Sequence, residues 1–260
     1  MIQQLIDTHC HLDFPDFDGD REEVIKRAQE GGVTKIINIG CTLERAKKSI
    51  EIAQKYDFIY SSVGIHPQDA KEGDERNFAE LARLLKEPKV VAIGECGLEF
   101  YGEYNTPETQ VKQKEIFLKH LVLAGESGKP VIIHCRNAYE EILDILRREK
   151  EKNPGLCGVV HFFAGRLSHA KEFITLGFLI SFTGVIVFAR DYDKVIKEIP
   201  LEKIMIETDA PFVAPDPFRG KRNEPSYVKY VAEKIAELRG IGFDEVAQTT
   251  TKNAERLFGI

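Results

Sequence analysis

Eight short runs rich in β-branched and other apolar residues recur along this chain, and a polar or helix-like segment follows each run. The runs cover residues 4–11, 35–40, 59–66, 90–97, 130–136, 158–163, 178–184 and 204–209. Continuous apolar runs of this length are typical of parallel strands that are buried on both faces of a sheet. The repeated alternation therefore predicts an α/β protein with a parallel sheet.

The segments between the runs carry helical periodicity. They cover residues 20–30, 43–55, 107–127, 138–150 and 168–176, and two amphipathic segments, 226–240 and 243–258, follow the last run. Strand–helix pairs repeated in this order predict a (β/α)8 TIM barrel, with the active site at the C-terminal ends of the strands. A doubly wound open sheet is the alternative. It is disfavoured because no Gly-x-Gly-x-x-Gly loop follows the first run.

The composition fits one large folded unit. The chain has 260 residues, of which 43% are hydrophobic and 30% charged, and no linker-like segment divides it, so we expect a single domain over residues 1–260. The first residues lack the pattern of a secretory signal, and no run approaches the ~18 apolar residues of a membrane span. These features predict a cytoplasmic protein. The five cysteines have no C-x-x-C spacing, and we expect reduced, mostly buried thiols.

Histidines and acids collect at the C-terminal ends of the predicted strands. They are His9, His11, His66, Glu95, His134, His161 and Asp209, so five of the seven histidines of the chain occupy such positions. The strand ends of a barrel converge on one mouth, which makes residues distant in sequence neighbours there. A lone His-x-His pair also fits two half-buried side chains without a metal, but alternation lets His9 and His11 hold one ion together. The whole set indicates a site for zinc, manganese or iron, in which Glu95 could bridge two ions.

Six ordered segments carry a resemblance to a known family. They are DTHCHLD at 7–13, GIHP at 64–67, GECGL at 94–98, VIIHCR at 131–136, ETDAP at 207–211 and RNEP at 222–225. Together they resemble the TatD-type deoxyribonuclease family of metal-dependent hydrolases, within the wider amidohydrolase-like barrels. The match runs nearly end to end, and six segments in order are far more specific than any one of them.

The resemblance implies two divalent cations (magnesium, manganese or zinc) with Glu95 as the bridging carboxylate. One ion would lie among His9, His11, Glu95 and Asp209, and the second among Glu95, His134 and His161. Three positions depart from the family pattern: Glu99 and Asn137 each replace a usual Asp, and His120 replaces a usual Gln. None of them removes an implied ligand. We expect Asn137 to cap the following helix and Glu99 to alter the fit of the substrate.

The implied activity is hydrolysis of an ester bond by a phosphodiesterase or deoxyribonuclease of the exonuclease type. Two ions about 4 Å apart would lower the pKa of a bound water and stabilise charge on phosphoryl oxygens. Asp209 is the candidate that orients this water and takes its proton, with the role of a simple ligand as the alternative. Glu95 would act as the bridge. His66 could bond a substrate phosphate or shuttle a proton, against the alternative of a structural hydrogen bond.

The segment after Asp209 supplies most of the candidate substrate-binding residues, because its crowded cations suit contacts to phosphate. The candidates are Arg219, Lys221, Arg222 and Asn223, with Arg136 as a weaker one. The net charge of −6 disfavours a broad basic face for duplex DNA. We therefore expect the ends of DNA strands or a nucleotide-like phosphodiester as substrate. No obligate protein partner and no membrane are expected. Tyr101 and Phe100 could stack on a base, although packing on the barrel is the commoner outcome.

Two other functions fit the same residues. Related barrels share metal ligands and differ in their loops, so the bond could be an amide, ester or lactone in a small molecule. The basic segment argues against that alternative. A nucleic-acid or metal-binding module that has lost catalysis is the other alternative, and the complete set of candidate ligands argues against it.

Overall fold

The computed structural model describes residues 4–260, so residues 1–3 of the predicted domain lie outside it. Eight parallel strands pair side by side in sequence order. They are β1 (Leu5–Cys10), β2 (Val33–Asn38), β3 (Ile59–Val63), β4 (Val90–Glu99), β5 (Val131–Arg136), β6 (Gly158–Val160), β7 (Phe178–Phe182) and β8 (Ile204–Ile206). Each overlaps one of the predicted runs. The predicted (β/α)8 barrel is confirmed.

Nine α-helices lie within the described part of the chain. They are α1 (Arg21–Glu30), α2 (Leu43–Lys55), α3 (Glu75–Leu84), α4 (Pro107–Ser127), α5 (Tyr139–Lys152), α6 (Leu167–Thr175), α7 (Asp193–Glu198), α8 (Val228–Arg239) and α9 (Phe243–Phe258). The seven predicted helices are found with bounds shifted by no more than two residues. Helices α3 and α7 lie in segments that carried no helix prediction.

Strands β1 and β8 close the barrel. Cys10 forms a parallel bridge with Ala210. The backbone N–H of His11 donates to the carbonyl of Ala210 at 2.7 Å, and the N–H of Asp209 donates to the carbonyl of His9 at 2.8 Å. These bonds hold the histidines at the end of β1 directly against the acid that follows β8.

The inside of the barrel is packed, and helix α9 covers the end where the strands begin. Ile6, Ile37, Ile132, Val159 and Met205 form a buried cluster that includes Ala254 and Phe258 of α9. Thr251 and Asn253 of α9 donate hydrogen bonds to the carbonyls of Gln4 and Ile204, at the starts of β1 and β8. The barrel interior is therefore closed at this end by the described residues.

Six strands end earlier than predicted, and the difference is largest, three residues, for β3, β6 and β8. Strand β6 ends at Val160 and β8 at Ile206, whereas the apolar runs extended to residues 163 and 209. Phe162 and Asp209 have φ angles of 43° and 57°, which is a left-handed conformation that the strands cannot contain. His161 and Asp209 consequently lie just beyond the sheet, in the loops that form the mouth.

The expected cap at Asn137 is wrong, whereas the expected state of the cysteines is confirmed. Helix α5 follows Ala138, no side chain caps it, and Asn137 takes a φ of 55° instead. All five cysteines are free; four are buried and Cys157 is half-buried. Among residues 4–260, no helix combines the length and the apolar character needed to cross a membrane.

His120 ties helix α4 to the segment that leads into the mouth. Its Nε2 accepts a hydrogen bond from the backbone N–H of Ile65 at 3.0 Å, next to His66, and its Nδ1 donates to the carbonyl of Ile116 at 2.8 Å. The ring is fully buried, and burial lowers the pKa of His120 to about 4. The neutral imidazole thus pairs with one backbone N–H and one backbone carbonyl in the core, and a glutamine amide could make the same two kinds of hydrogen bond.

His120 should make the stability of the protein depend on pH. Below pH 6.5 the unfolded chain protonates this histidine while the folded protein does not, so stability is lost as pH falls from about 6.5 to about 4, by roughly 3 kcal/mol in total. Urea unfolding of wild type and His120→Gln, with a chelator present at each pH, measures the difference. Equal pH dependence in the two proteins would contradict this role.

Candidate metal centre

The C-terminal strand ends surround one cavity of about 720 Å³. Six of the seven histidines and acids predicted at the strand ends line it, namely His11, His66, Glu95, His134, His161 and Asp209. His9 is fully buried beneath them. The structure thus brings together all seven residues that the strand ends supplied in the sequence.

A β-bulge in β4 turns Glu95 into the mouth. Between Ile93 and Cys96 the ladder advances three residues on β4 but only two on β5, which leaves one residue of β4 unpaired. Gly94 and Gly97 have φ angles of 139° and 143°, in a range that favours glycine. A Cβ on Gly97 would lie 2.0 Å from a carbonyl oxygen of β5. The two glycines of the GECG segment are therefore required by the bulge.

The Glu95 carboxylate lies among four imidazoles. Its Oε1 is 2.7 Å from Nε2 of His161, 2.8 Å from Nδ1 of His134 and 3.4 Å from Nε2 of His66. Its Oε2 is 3.3 Å from Nε2 of His9. Burial opposes ionisation of Glu95, but the imidazoles of His161, His66 and His9 hold its pKa well below the usual range. The carboxylate is therefore an anion at neutral pH.

Asp209 forms the other acidic half of the cluster. Its Oδ1 is 3.5 Å from Nε2 of His11 and 3.7 Å from Nε2 of His9. Burial opposes ionisation here too, yet the hydrogen bond from His11 and the charges of His9 and His11 lower the pKa of Asp209. In return, although burial lowers the pKa of His11, Asp209 and Cys41 raise it well above normal. The carboxylates attract positive charge to this site, which a bound cation would also supply.

The donor atoms fit divalent cations. Three groups have ligand atoms within 4.8 Å of one another: His9, His11 and Asp209; His9, Glu95 and His161; and His66, Glu95 and His134. Within residues 4–260, both ring nitrogens of His9 and Nδ1 of His11 are buried and make no hydrogen bond. Buried polar atoms seldom lack a partner, and a cation would use the free lone pairs. Imidazole and carboxylate groups together suit zinc and manganese.

Buried acids hold the cluster from behind. Asp7 accepts hydrogen bonds from the backbone N–H groups of His9 and Thr208 and from the Thr208 hydroxyl. Glu207 Oε1 lies 3.4 Å from Nδ1 of His161, so the Nε2 of that ring faces Glu95. A carboxylate behind a metal-ligating imidazole commonly orients the ring, and Glu207 occupies that position although Nδ1 of His161 makes no hydrogen bond within the described residues.

Glu99 contacts the cluster although sequence reasoning gave it no ligand role. Its Oε2 is 3.2 Å from Nε2 of His134 and 3.4 Å from Nε2 of Gln68, and it lines the cavity. The signal in the sequence was its position at the end of β4, four residues after Glu95. Glu99 therefore orients the His134 ring and shapes the cavity wall beside it.

Of the five candidate substrate-binding residues, only Arg136 lines the cavity. The Arg222 guanidinium instead donates to the Asp20 carboxylate at 2.6 and 2.7 Å. Arg219 lies over the ring of Phe188, and Asn223 is buried, where it donates to the carbonyls of Thr208 and Phe212. Neither these three nor Lys221 line the cavity. The basic segment, residues 218–223, therefore lies outside the wall of the site.

Comparison with known proteins agrees with the fold. The model of a family described as TatD related DNase matches residues 6–259. The chain is 44% identical to an uncharacterized metal-dependent hydrolase, YabD, of Bacillus subtilis, over 98% of this chain and 99% of that one. It is 35% identical to a protein of Edwardsiella piscicida named 3′-5′ ssDNA/RNA exonuclease TatD, again over 98% and 99% of the two chains.

A solved structure gives the same result. The crystal structure of YJJV, a TatD homologue from Escherichia coli, superposes with a TM-score of 0.93 at 34% identity, and the match covers 100% of both chains. The histidines and acids gathered at one mouth of a parallel barrel agree with this relationship. The chain belongs to the TatD-related DNase family of metal-dependent hydrolases.

Proposed function

We propose that this hydrolase is a phosphodiesterase that removes nucleotides from the end of a single nucleic-acid strand. The observation that carries the proposal is the position of Glu95, a buried anion in contact with imidazoles from four other strand ends. A carboxylate between two groups of imidazole ligands suits a pair of ions, which is a common arrangement for cleaving phosphodiesters. The relative named 3′-5′ ssDNA/RNA exonuclease supports the choice of substrate.

Two divalent cations per chain are part of the proposal. His9, His11 and Asp209 would hold one, His134 and His161 the other, and Glu95 would contact both. Bound there, such ions lower the pKa of a water and offset the charge on phosphoryl oxygens. Magnesium, manganese and zinc are the ions to compare.

Asp209 is the proposed proton acceptor. Its carboxylate lines the cavity, and its lowered pKa keeps it ionised at neutral pH. A carboxylate in that state can hold the attacking water through a hydrogen bond and take its proton at Oδ1 or Oδ2. The φ of 57° at Asp209 and its backbone bond to His9 fix the direction of the side chain.

His66 is proposed to act as a hydrogen-bond donor rather than as a metal ligand. Its Nδ1 accepts a hydrogen bond from the backbone N–H of Gln68 at 3.2 Å, so a neutral ring carries its proton on Nε2. Burial lowers the pKa of His66, which keeps the ring neutral. The Nε2–H faces Glu95 and the cavity, where it can donate to a phosphoryl oxygen.

Hydrolysis of an uncharged ester or lactone is the second candidate function. Two observations favour it. Arg222 is hydrogen-bonded to Asp20, and residues 218–223 lie outside the cavity. Fewer cations then face the substrate than the sequence predicted. Arg136 and Arg45 are the arginines that line the cavity.

Asp209→Asn should lower kcat for cleavage of a single-stranded oligonucleotide by about 10²–10⁴-fold, because the amide cannot accept the proton of water. Gel analysis of 3′- and 5′-blocked oligonucleotides with each metal measures the rate and the direction of cleavage. Asp144→Asn, the same change at an exposed position of α5, is the matched control. A variant at Asp209 that retains the wild-type kcat would rule out this role.

Glu95→Gln should reduce the amount of bound metal. Wild type is expected to retain two ions per chain after dialysis against manganese or zinc, and the variant less than one, because the amide loses the charge that both ions would share. Elemental analysis gives the stoichiometry, and thermal melts with and without metal give the associated stabilisation. Glu126→Gln on the exposed face of α4 is the control. Unchanged stoichiometry in Glu95→Gln would argue against a bridge.

Arg136→Ala and Arg222→Ala separate the two candidate functions. Arg136→Ala should raise KM for an oligonucleotide about tenfold through loss of a charge-assisted bond, with no effect on an uncharged lactone. Arg222→Ala should leave KM unchanged and lower the free energy of unfolding by about 1 kcal/mol, since its partly exposed pair with Asp20 is structural. Steady-state kinetics and urea unfolding report both effects. If Arg222→Ala raised KM and Arg136→Ala did not, the phosphate contact would lie in the segment at 218–223 instead.

A further inference from the structure

Phe212 is an exposed aromatic side chain beside the candidate metal centre. It is 48% exposed, follows Asp209 by three residues and lines the same cavity. Its ring centroid is 6.2 Å from that of His11. About half of this phenyl side chain therefore remains in contact with water at the edge of the cavity.

Phe14 forms the second wall of this corner. Its ring meets Phe212 at 5.9 Å in an edge-to-face arrangement and lies 4.6 Å from His11. The Arg45 guanidinium sits 3.9 Å over the Phe14 ring and is held by Asp13 at 3.3 Å. Phe14 is therefore fixed from behind, whereas much of Phe212 faces solvent.

The backbone of Phe212 is held in place before any substrate arrives. Its N–H donates to the carbonyl of Asp209 at 2.9 Å, and its own carbonyl accepts a hydrogen bond from Nδ2 of Asn223 at 2.6 Å. Asn223 also donates to the carbonyl of Thr208 at 2.8 Å. Asn223, which the sequence pointed to as a substrate contact, is thus a positioning residue for the segment that carries Phe212.

We propose that Phe212, backed by Phe14, stacks on the nucleobase of a nucleotide adjoining the scissile phosphodiester. The inference rests on the proposed function and adds the part of the substrate that is recognised. Every nucleobase presents a flat apolar face, so an aromatic ring can hold any of them without reading the sequence. Because Phe212 lies only 6.2 Å from His11, a base stacked on its ring would lie close to a phosphate at the cluster.

Stacking of this kind also determines the class of substrate. A base within a duplex is already stacked on both faces and must leave its partner before it can reach Phe212, at a cost of a few kcal/mol. A single strand or a frayed end offers the base freely. The corner formed by Phe14 and Phe212 therefore selects unpaired ends, and it does so without the broad basic surface that the acidic chain lacks.

A substrate–variant cycle tests the proposal. The substrates are a single-stranded oligonucleotide and two copies with an abasic residue on one or the other side of the scissile bond. Phe212→Ala should lower kcat/KM on the intact strand about tenfold, and Phe212→Tyr should stay near wild type. One of the abasic strands should reduce wild type to the level of Phe212→Ala, and that variant should lose nothing further. Val122→Ala, an exposed apolar residue of α4, is the control.

Different outcomes would contradict the stacking role of Phe212 and the proposed function. Equal losses for Phe212→Ala on the intact strand and on both abasic strands would overturn the stacking role, because a structural defect does not depend on the base. Cleavage of no oligonucleotide by metal-loaded wild type would overturn the proposed function itself. If the effects of Phe212→Ala and of base removal are non-additive at one abasic position only, the proposal is supported. That position then identifies the nucleotide that Phe212 holds.

Discussion

The contact between a buried carboxylate and four imidazoles is the constraint on which the mouth of this barrel depends. Glu95 is 3% exposed, and an anion so deeply buried is tolerated only when opposite charge and hydrogen bonds surround it. Its partners come from β1, from β5 and from the loops after β3 and β6. The C-terminal ends of these strands must therefore face one common mouth for the charge to be balanced, and closure of the barrel between β1 and β8 brings Asp209 to the same place.

Regular strand geometry alone does not produce this arrangement. A bulge displaces Glu95 from the β4 ladder, and β1 likewise advances three residues between Asp7 and Cys10 while β2 advances two. Bulges re-aim side chains at the rims of barrels. His161 and Asp209 reach the cluster because β6 and β8 stop short of them. These interruptions of the ladder occur where ligand atoms have to converge, and further register shifts lie near the starts of the strands, between Leu5 and Ile6 and between Ser61 and Ser62.

The sequence predicted the parts of this structure that depend on local patterns. Apolar runs, helical periodicity and the residues at strand ends lie within short segments, so the barrel and its seven clustered side chains could be expected. Contacts between distant segments could not. Arg222 pairs with Asp20, which lies 202 residues away, and no local pattern distinguishes that pair from a phosphate contact. Asn137 likewise had the residue type of a cap, but the turn before α5 gave it a left-handed backbone.

The same distinction applies to function. The metal-binding side chains are built into the strand ends of the barrel, and hydrolases that act on different bonds can share such a set. Selection of the substrate must then come from side chains that surround the cluster without belonging to it. Under the proposed function they are aromatic rings and arginines at or beyond the ends of different strands: Phe14 with Arg45, Phe212, and Arg136 stacked on the exposed ring of Tyr101. Flat apolar surfaces next to single cations match the alternation of base and phosphate along one strand, whereas a small uncharged ester presents neither.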